Sequence, residues 1–252
     1  MALTIDLSGK VALVTGGGRG IGRAAALALA EAGADVAVAA RTRAQIEETC
    51  SLIQGIGRRS LAFSVDVTKK AEVVAMVEET VKSLGRIDIL VNNAGVARPA
   101  PLLEYPETDW DLVMDTNVKG MFLCTQAVGR YLVAQKYGKV INIASTGGEM
   151  AGPYNAAYHA SKAAAILFTK SVALEWIRHN INVNAIGPGF VDTQLLADFT
   201  DEKSMSARLK AIPQRRLARA EEIAPLVVFL ASDLSSYMVG EHVIVDGGLI
   251  ST

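Results

Sequence analysis

Short apolar runs alternate with longer helical stretches along the whole chain. The runs predict seven β-strands, at residues 10–16, 35–41, 61–67, 87–95, 138–145, 181–189 and 241–248. Because these runs are apolar at nearly every position, we expect strands that are buried on both faces, as in a parallel sheet covered by helices on both sides. The pattern therefore predicts an α/β fold with a doubly wound parallel sheet of about seven strands.

No internal repeat, low-complexity tract or linker interrupts this alternation, so we expect one domain over residues 1–252. The segment 190–220 contains no predicted strand and follows the sixth one. Ligands of open α/β sheets bind at the carboxyl ends of the strands, which makes this segment a candidate lid over a substrate site. Its larger apolar residues could line a substrate pocket or could equally form the core of the lid; they are Leu195, Leu196, Phe199, Met205 and Leu209.

Composition narrows the functional classes. Of the 252 residues, 50% are hydrophobic, and the formal net charge is -1, which argues against nucleic acid as the partner. No apolar run approaches the roughly 20 residues that span a bilayer. The start "MALTIDLSGK" lacks the basic and apolar regions of a secretory leader. We therefore expect a cytoplasmic protein that binds neither membranes nor nucleic acid.

Cysteine and histidine give no sign of a metal site. The two cysteines, Cys50 and Cys124, fit reduced packing residues of an intracellular chain. His159, His179 and His242 are isolated and have no ligand-like spacing to one another or to cysteine. We expect no bound metal.

The first chemical motif is the glycine-rich turn "TGGGRGIG", residues 15–22, between the first strand and the first helix. Gly16, Gly20 and Gly22 give the spacing G-x-x-x-G-x-G, which differs from the G-x-G-x-x-G dinucleotide motif and from a Walker phosphate loop. Glycines nevertheless let the backbone turn sharply and bring its N–H groups close to a pyrophosphate at the positive end of a helix. Such a turn can be purely structural, but its place after the first strand favours a nucleotide site.

A second motif lies in the predicted helix 157–180, where Tyr158 and Lys162 are four residues apart and share one face. An ammonium beside a phenol favours the phenolate. We therefore expect the pKa of Tyr158 to lie below its usual value of about 10, so that Tyr158 can act as a general acid or base. Ser145 ends the fifth predicted strand, where its hydroxyl could hydrogen-bond a carbonyl oxygen. Taken alone, each of these residues is more often a surface or turn residue.

Together with Asn117 in "MDTNVKG" and "NNAG" at residues 92–95, these motifs resemble the short-chain dehydrogenase/reductase family. The resemblance covers essentially the whole chain and implies a Rossmann-type oxidoreductase of roughly 250 residues. Its motifs occur in the order of the family: the turn 16–22, Asp66, Asn92-Asn93-Ala94-Gly95, Asn117, Ser145, Tyr158 with Lys162, and Pro188-Gly189 followed by Thr193.

The resemblance also implies a role for each residue. Hydride passes from a nicotinamide cofactor to a ketone carbon while Tyr158 protonates the oxygen. Ser145 polarises that oxygen, and Lys162 tunes the tyrosine. Asn117 anchors a water chain that resupplies the proton. The expected cofactor-binding residues are Gly16, Arg19, Gly20, Ile21, Gly22, Arg41, Asp66, Val67, Asn93, Ala94, Gly95, Tyr158, Lys162, Pro188, Gly189, Val191 and Thr193.

The end of the second predicted strand bears on the choice of cofactor. NAD-binding folds commonly place an acid there, about 20 residues past the glycines, to accept a hydrogen bond from the ribose 2′-hydroxyl. Ala40 stands at that place, Arg41 follows it, and Arg19 lies inside the glycine turn. Two guanidiniums near the ribose suit a dianionic 2′-phosphate, although both could be plain surface arginines. We expect NADP(H) as the cofactor, with NAD less favoured.

The substrate is less well defined. The chain resembles both 3-oxoacyl-(acyl-carrier-protein) reductases and gluconate 5-dehydrogenase-like members. The expected substrate is therefore a small carbonyl compound or alcohol, either a 3-oxoacyl compound or a sugar acid or polyol. A non-catalytic NADP-binding sensor is a further alternative, although Ser145, Tyr158 and Lys162 are all present. The resemblance also implies a homotetramer, with helices 105–133 and 157–178 and the last strand as contact surfaces.

Overall fold

A single parallel sheet organises the computed structural model, which describes residues 4–198 and 202–251. The strand order is β3-β2-β1-β4-β5-β6-β7. The strands are β1 (Val11–Thr15), β2 (Asp35–Ala40), β3 (Ser60–Ser64), β4 (Ile89–Asn92), β5 (Gly138–Ile143), β6 (Ile181–Pro188) and β7 (His242–Val245). The prediction of a doubly wound parallel sheet of seven strands is confirmed.

Helices cover both faces of this sheet. In the described part of the chain they are α1 (Gly20–Glu31), α2 (Arg43–Gly55), α3 (Lys70–Leu84), α4 (Glu107–Met114), α5 (Gly120–Gln135), α6 (Ala156–Trp176), α7 (Gln194–Ala197), α8 (Glu202–Ala211) and α9 (Ala224–Ala231). Apolar residues of α1, α2 and α9 pack on one face, and those of α3, α5 and α6 pack on the other. Every residue of β1, β4, β5 and β6 is buried, which explains why these strands are continuous apolar runs.

Two of the predicted helices have different bounds in the structure. The helix predicted over 105–133 begins at Glu107 and ends at Gln135, and a π-helical turn, Asp115–Lys119, lies between α4 and α5. The helix predicted over 157–180 ends as an α-helix at Trp176 and continues as a 3₁₀ turn, Ile177–His179. Asn180 then leaves the helical path with a left-handed φ of 58°.

The predicted lid segment contains α7 and α8. It is closed at its base by a single parallel bridge between Val191 and Ala218. Both cysteines, Cys50 and Cys124, are free and buried. Of the helices described, none has the length and apolar character needed to cross a membrane.

Candidate active site

A cleft of about 570 Å³ opens at the carboxyl ends of β1, β2 and β4. It lies where the strand order reverses on either side of β1, the usual ligand position in open α/β sheets. Eleven residues predicted to bind the cofactor line it: Gly16, Arg19, Gly20, Ile21, Arg41, Asp66, Val67, Asn93, Ala94, Gly95 and Thr193. The lining residues that sequence reasoning missed are mostly neighbours of these in the chain, namely Gly18, Thr42, Gln45, Val65, Val96, Thr116, Asp192 and Gln194.

The glycine turn forms a cradle at the base of this cleft. Gly16 and Gly20 have left-handed φ values of 63° and 53°, which glycine adopts without strain. A Cβ on Gly16 would lie 2.7 Å from Nδ2 of Asn93. The helix α1 begins at Gly20, so its free N–H groups and the positive end of its dipole face the cleft. The donor set and the space both fit a pyrophosphate group.

Gly22 was predicted to bind the cofactor, but it does not line the cleft. A Cβ at this position would overlap the carbonyl oxygen of Gly16 and the side-chain amide nitrogen, Nδ2, of Asn93. The structural requirement at Gly22 is therefore the close approach of α1 to the turn.

A hydrogen-bonded clamp joins the end of β1 to the end of β4. The Thr15 hydroxyl accepts from the backbone N–H groups of Asn93 (3.1 Å) and Ala94 (3.2 Å) and donates to the Val91 carbonyl (3.3 Å). Nδ2 of Asn93 donates to the carbonyls of Thr15 (3.1 Å) and Gly16 (3.0 Å). The clamp fixes both walls of the cleft. Sequence reasoning overlooked Thr15, although a lone polar residue at the end of an apolar strand was a usable signal.

The rim of the cleft at the end of β2 carries positive charge. Ala40, Arg41 and Arg19 line the cleft, and both arginine side chains are exposed. Neither guanidinium makes a hydrogen bond or an ion pair with the side chains described, those of residues 4–198 and 204–251. Burial would raise the pKa of Asp66, but hydrogen bonds from Thr68 and the positive charge of Arg41 lower it overall. The rim therefore carries the positive charges of Arg19 and Arg41, and Ala40 stands where NAD-binding folds commonly have an acidic residue.

The predicted catalytic side chains converge at the carboxyl end of β5. Ser145 follows this strand and accepts a hydrogen bond from the Gly147 N–H (3.0 Å), and its hydroxyl lies close enough to Tyr158 to lower the pKa of that phenol. Tyr158 and Lys162 lie one turn apart on α6, with Nζ of Lys162 5.7 Å from the centroid of the Tyr158 ring. The same Nζ donates to the Ile143 carbonyl at 2.7 Å. Ser145, Tyr158 and Lys162 are therefore close together at this strand end, although none of the three lines the cleft, and two of them, Tyr158 and Lys162, were predicted to bind the cofactor.

The predicted lowering of the Tyr158 pKa is opposite to the net direction in the structure. Tyr158 keeps part of its surface exposed, yet burial of its hydroxyl raises its pKa, and the Ser145 hydrogen bond only partly offsets this. Burial also lowers the pKa of Lys162 to about 8, so the ammonium is itself destabilised. Removal of water from both groups outweighs their mutual attraction, which the sequence spacing alone did not reveal.

Asn117 lies in the π-helical turn and is buried. Its Oδ1 accepts from the Val96 N–H (2.8 Å), and its Nδ2 donates to the Val96 carbonyl and the Ser161 hydroxyl (both 2.9 Å). A Cβ on Gly95 would lie 3.4 Å from Oδ1 of Asn117 and 3.7 Å from Nζ of Lys162. Asn117, Gly95 and Lys162 therefore lie close together, with Lys162 beside the ring of Tyr158.

Two side chains that sequence reasoning did not assign hold the loop after Ser145. Oε1 of Glu149 lies 2.6 Å from Nδ1 of His242 on β7, which ties the loop to the edge of the sheet. His159, next to Tyr158, accepts from the Gly152 N–H at 3.3 Å through Nδ1. Burial lowers the pKa of His159, which favours the neutral form that can accept this bond. In the part of the chain described, His, Cys, Asp and Glu side chains form no group of three that could hold a metal.

The remaining predicted residues lie at or beyond the end of β6. Pro188, Gly189 and Val191 do not line the cleft; the Pro188 carbonyl accepts from the Thr146 hydroxyl at 3.4 Å, and Gly189 donates to Val245. Of the apolar lid residues, Leu195 lines the cleft, whereas Met205 and Leu209 line a separate surface groove. Leu196 lines neither of these two cavities. Phe199 lies outside the described residues.

Comparison with known proteins gives full-length matches. A family model described as enoyl-(acyl carrier protein) reductase matches residues 16–250. The Thermotoga maritima 3-oxoacyl-(acyl-carrier-protein) reductase FabG is 39% identical, over 97% of this chain and 99% of its own. The Dickeya dadantii 2-dehydro-3-deoxy-D-gluconate 5-dehydrogenase is 40% identical, over 98% of each chain.

Solved structures agree in fold over the same length. The Burkholderia cenocepacia gluconate 5-dehydrogenase, solved with NADP and tartrate, has a TM-score of 0.94, 37% identity, and coverage of 99% of this chain and 98% of its own. A xylitol dehydrogenase bound to NAD+ has a TM-score of 0.90, 35% identity, and coverage of 96% of this chain and 99% of its own. With these matches added to the cleft and to the serine, tyrosine and lysine beside it, the chain belongs to the short-chain dehydrogenase/reductase family of oxidoreductases.

Proposed function

We propose that this enzyme uses NADPH to interconvert a ketone and a secondary alcohol. The observation that carries the proposal is the convergence of Ser145, Tyr158 and Lys162 at the strand ends beside the glycine cradle. A purely structural scaffold needs none of these groups, and the burial of the Lys162 ammonium costs stability.

The cleft residues fit a nicotinamide dinucleotide. The turn at Gly16 and Gly20 would hold the pyrophosphate, and Arg19 and Arg41 would hold a 2′-phosphate on the adenosine ribose. NADPH supplies the hydride when it is bound. The preference for NADP rests on these two arginines and on the missing acid at Ala40. The relatives themselves include one solved with NADP and one with NAD+.

In the reductive direction, three side chains handle the substrate oxygen. The Ser145 hydroxyl donates a hydrogen bond to the carbonyl oxygen as negative charge develops on it. Tyr158 transfers the proton of its hydroxyl to that oxygen; a tyrosine is protonated at neutral pH, and the raised pKa of Tyr158 does not change this. Lys162 lies beside the tyrosine ring and stabilises the phenolate that results. Asn117 would anchor the water chain that returns the proton.

The substrate is a small carbonyl compound or its alcohol. A 3-oxoacyl compound is the first candidate, because relatives at 39–41% identity carry that name. A sugar acid or polyol is the second, because equally similar relatives are gluconate dehydrogenases. A lid around residues 190–220, within a single domain, would cover the substrate; Leu195 on the cleft wall supports this.

The contact surfaces of the predicted homotetramer carry exposed apolar side chains. Leu167 and Leu174 on α6 are 66% and 76% exposed, and Phe122 on α5 is 41% exposed. Burial of such faces between subunits supports the proposed assembly. The cytoplasmic location stays a prediction from the sequence.

Tyr158→Phe tests the proposed chemistry. The variant keeps the ring but loses the hydroxyl proton, so we expect ketone reduction to fall by at least about a hundredfold while the Kd for NADPH stays within about twofold. The measurement is NADPH oxidation, followed spectrophotometrically, with 3-oxoacyl thioesters, ketogluconates and diketones, and with NADH in parallel.

Tyr237→Phe, at a fully exposed tyrosine, is the matched control and should leave the rate unchanged. Undiminished turnover in Tyr158→Phe would contradict the mechanism. NADPH binding without oxidation on any ketone by the unmodified protein would instead favour the non-catalytic sensor.

A further inference from the structure

An arginine lies on the inward side of the lid helix α8. Met205, Arg208 and Leu209 are partly or fully shielded from solvent, as is Ile212 one turn later, whereas Lys210 and the other described side chains of the helix are exposed. This spacing is that of the buried face of an amphipathic helix. A long cationic side chain is unusual on such a face unless something pairs with it.

We propose that Arg208 binds a carboxylate of the substrate, so that this enzyme acts on an anionic keto or hydroxy acid. The inference rests on the proposed function and, of its two substrate candidates, favours the sugar acid over the 3-oxoacyl compound, which has no free carboxylate when bound as a thioester. A keto acid would then be held at two points, by its carbonyl oxygen at Ser145 and Tyr158 and by its carboxylate at Arg208.

The contacts of Arg208 leave its hydrogen-bond donors free. Its guanidinium stacks on the ring of Phe190, with Cζ 4.8 Å from the ring centroid. Stacking uses the face of the planar group and leaves the five N–H donors at its edge for a ligand. Within residues 4–198 and 204–251, no carboxylate is paired with it. Burial lowers the pKa of Arg208, because the guanidinium loses contact with water. An anion bound beside it would stabilise its charged form.

The sheet register places Phe190 near the catalytic serine. Ile143 on β5 is paired with Ile186 on β6, and Ser145 and Pro188 each lie two residues further along their segments. Phe190 is two residues further along. The ring that carries Arg208 therefore lies at the same sheet edge as Ser145.

Two further contacts connect the segments that surround this edge. The Thr146 hydroxyl donates to the Pro188 carbonyl at 3.4 Å, which joins the loop after Ser145 to the end of β6. Beyond α8, the Gln214 N–H donates to the Gly247 carbonyl at 3.3 Å, just past β7. Because Arg208 stacks on Phe190 just beyond β6, we infer that it faces a carboxylate a few carbons from the ketone.

The test compares keto acids with their own methyl esters, which keep the carbon skeleton and the ketone but replace the carboxylate by a slightly larger neutral group. We expect the unmodified enzyme to prefer the acids. Arg208→Gln should lower kcat/KM for the acids by about tenfold or more, mainly through KM, because hydrogen bonds between charged groups are worth about 1.5–3 kcal/mol. In this variant, kcat/KM for the esters and the Kd for NADPH should each stay within about twofold of the values of the unmodified enzyme. Arg208→Lys should recover part of the preference, and Lys210→Gln, a cation lost from the outer face of the same helix, should not change it.

Three outcomes would overturn the inference: a preference of the unmodified enzyme for esters, an equal fall for acid and ester, or a weaker Kd for NADPH. The equal fall would show that Arg208 only packs the lid. If no ketone turns over, the proposed function fails, and calorimetric binding of the same acids and esters to the NADP+ complex still tests Arg208. Binding of the acid that Arg208→Gln weakens supports the inference, and binding that it leaves unchanged refutes it.

Discussion

At the scale of single residues, Arg41 decides which charge the end of β2 presents to a nucleotide. Its guanidinium is exposed on the cleft rim and close enough to Asp66 to lower the pKa of that carboxyl. The sequence predicted this placement, because the end of the second strand must face the adenosine ribose in a fold of this type. It did not predict the coupling to Asp66, which lies on a different strand end.

Arg41→Asp should reverse the cofactor preference. A carboxylate at this place repels a 2′-phosphate, so we expect the Kd for NADPH to rise by at least about tenfold while the Kd for NADH changes little. Fluorescence titration with each cofactor measures this. Arg43→Asp is the matched control, because Arg43 is exposed and pairs with Glu47, away from the cleft. Equal shifts for both cofactors would show that Arg41 is only a surface charge.

Lys162 makes stability depend on pH. Burial lowers its pKa from 10.5 to about 8 in the folded protein, so between pH 8 and 10.5 the unfolded chain binds a proton that the folded chain has released. The free energy of unfolding should therefore rise with pH over that window, by a few kcal/mol relative to Lys162→Met. Urea unfolding at pH 7.5 and pH 10, without cofactor, measures the difference.

Lys170→Met provides the control for this pH dependence. Lys170 is exposed on the same helix, so its removal should leave the difference from the unmodified protein constant with pH. A constant difference for Lys162→Met as well would show that burial does not alter its pKa.

At the scale of elements, the sequence predicted the positions of the strands better than the local geometry of the helices between them. All seven strands fall within the predicted runs or one residue outside them, because continuous apolar character has one physical cause, burial on both faces. The π-helical turn at Asn117 was missed, because one extra residue in a helix barely disturbs its apolar periodicity. That turn is what directs Asn117 at Val96 and Ser161.

The glycine turn gives a sharp prediction about the contact of α1 with β1. In Gly22→Ala the added Cβ would overlap the Gly16 carbonyl and the Asn93 amide, so the helix must shift away from the turn. We expect a loss of about 1–3 kcal/mol in the free energy of unfolding and a Kd for NADPH that is about tenfold higher. Thermal unfolding and cofactor titration measure the two effects.

Gly55→Ala is the control for this substitution. Gly55 is the last residue of α2, and no atom lies within 4 Å of a Cβ placed there, so the change should be neutral or slightly stabilising. A similar small effect for Gly22→Ala would contradict the close-contact explanation.

At the scale of the whole molecule, the order of the motifs along the chain predicted most of the residues of the candidate site. The glycine turn, the asparagines after β4 and the tyrosine and lysine on α6 meet because parallel strands all end at one sheet edge. What the sequence could not supply is the environment of each group. The pKa directions of Tyr158 and Lys162, the link from Glu149 to His242 and the inward position of Arg208 depend on long-range packing.

The assembly is tested through its exposed apolar face. Leu174→Glu places a charge on the outer side of α6, so a tetramer that buries this face should dissociate into smaller species. Light scattering coupled to size-exclusion chromatography measures the mass. Leu52→Glu, at a leucine that is 46% exposed on α2, should leave the mass unchanged. A tetramer in both variants would show that α6 is not a contact surface.

The clamp between Thr15 and Asn93 has a consequence for how the protein is made. Its partners are 78 residues apart, so a nascent chain that ends after α3 has the complete glycine turn but nothing to hold its second wall. Closing so long a loop is slow, and ligands stabilise only states that bind them. The cofactor therefore gives no help to the first half of the chain during synthesis, and it stabilises the protein only after β4 has joined β1.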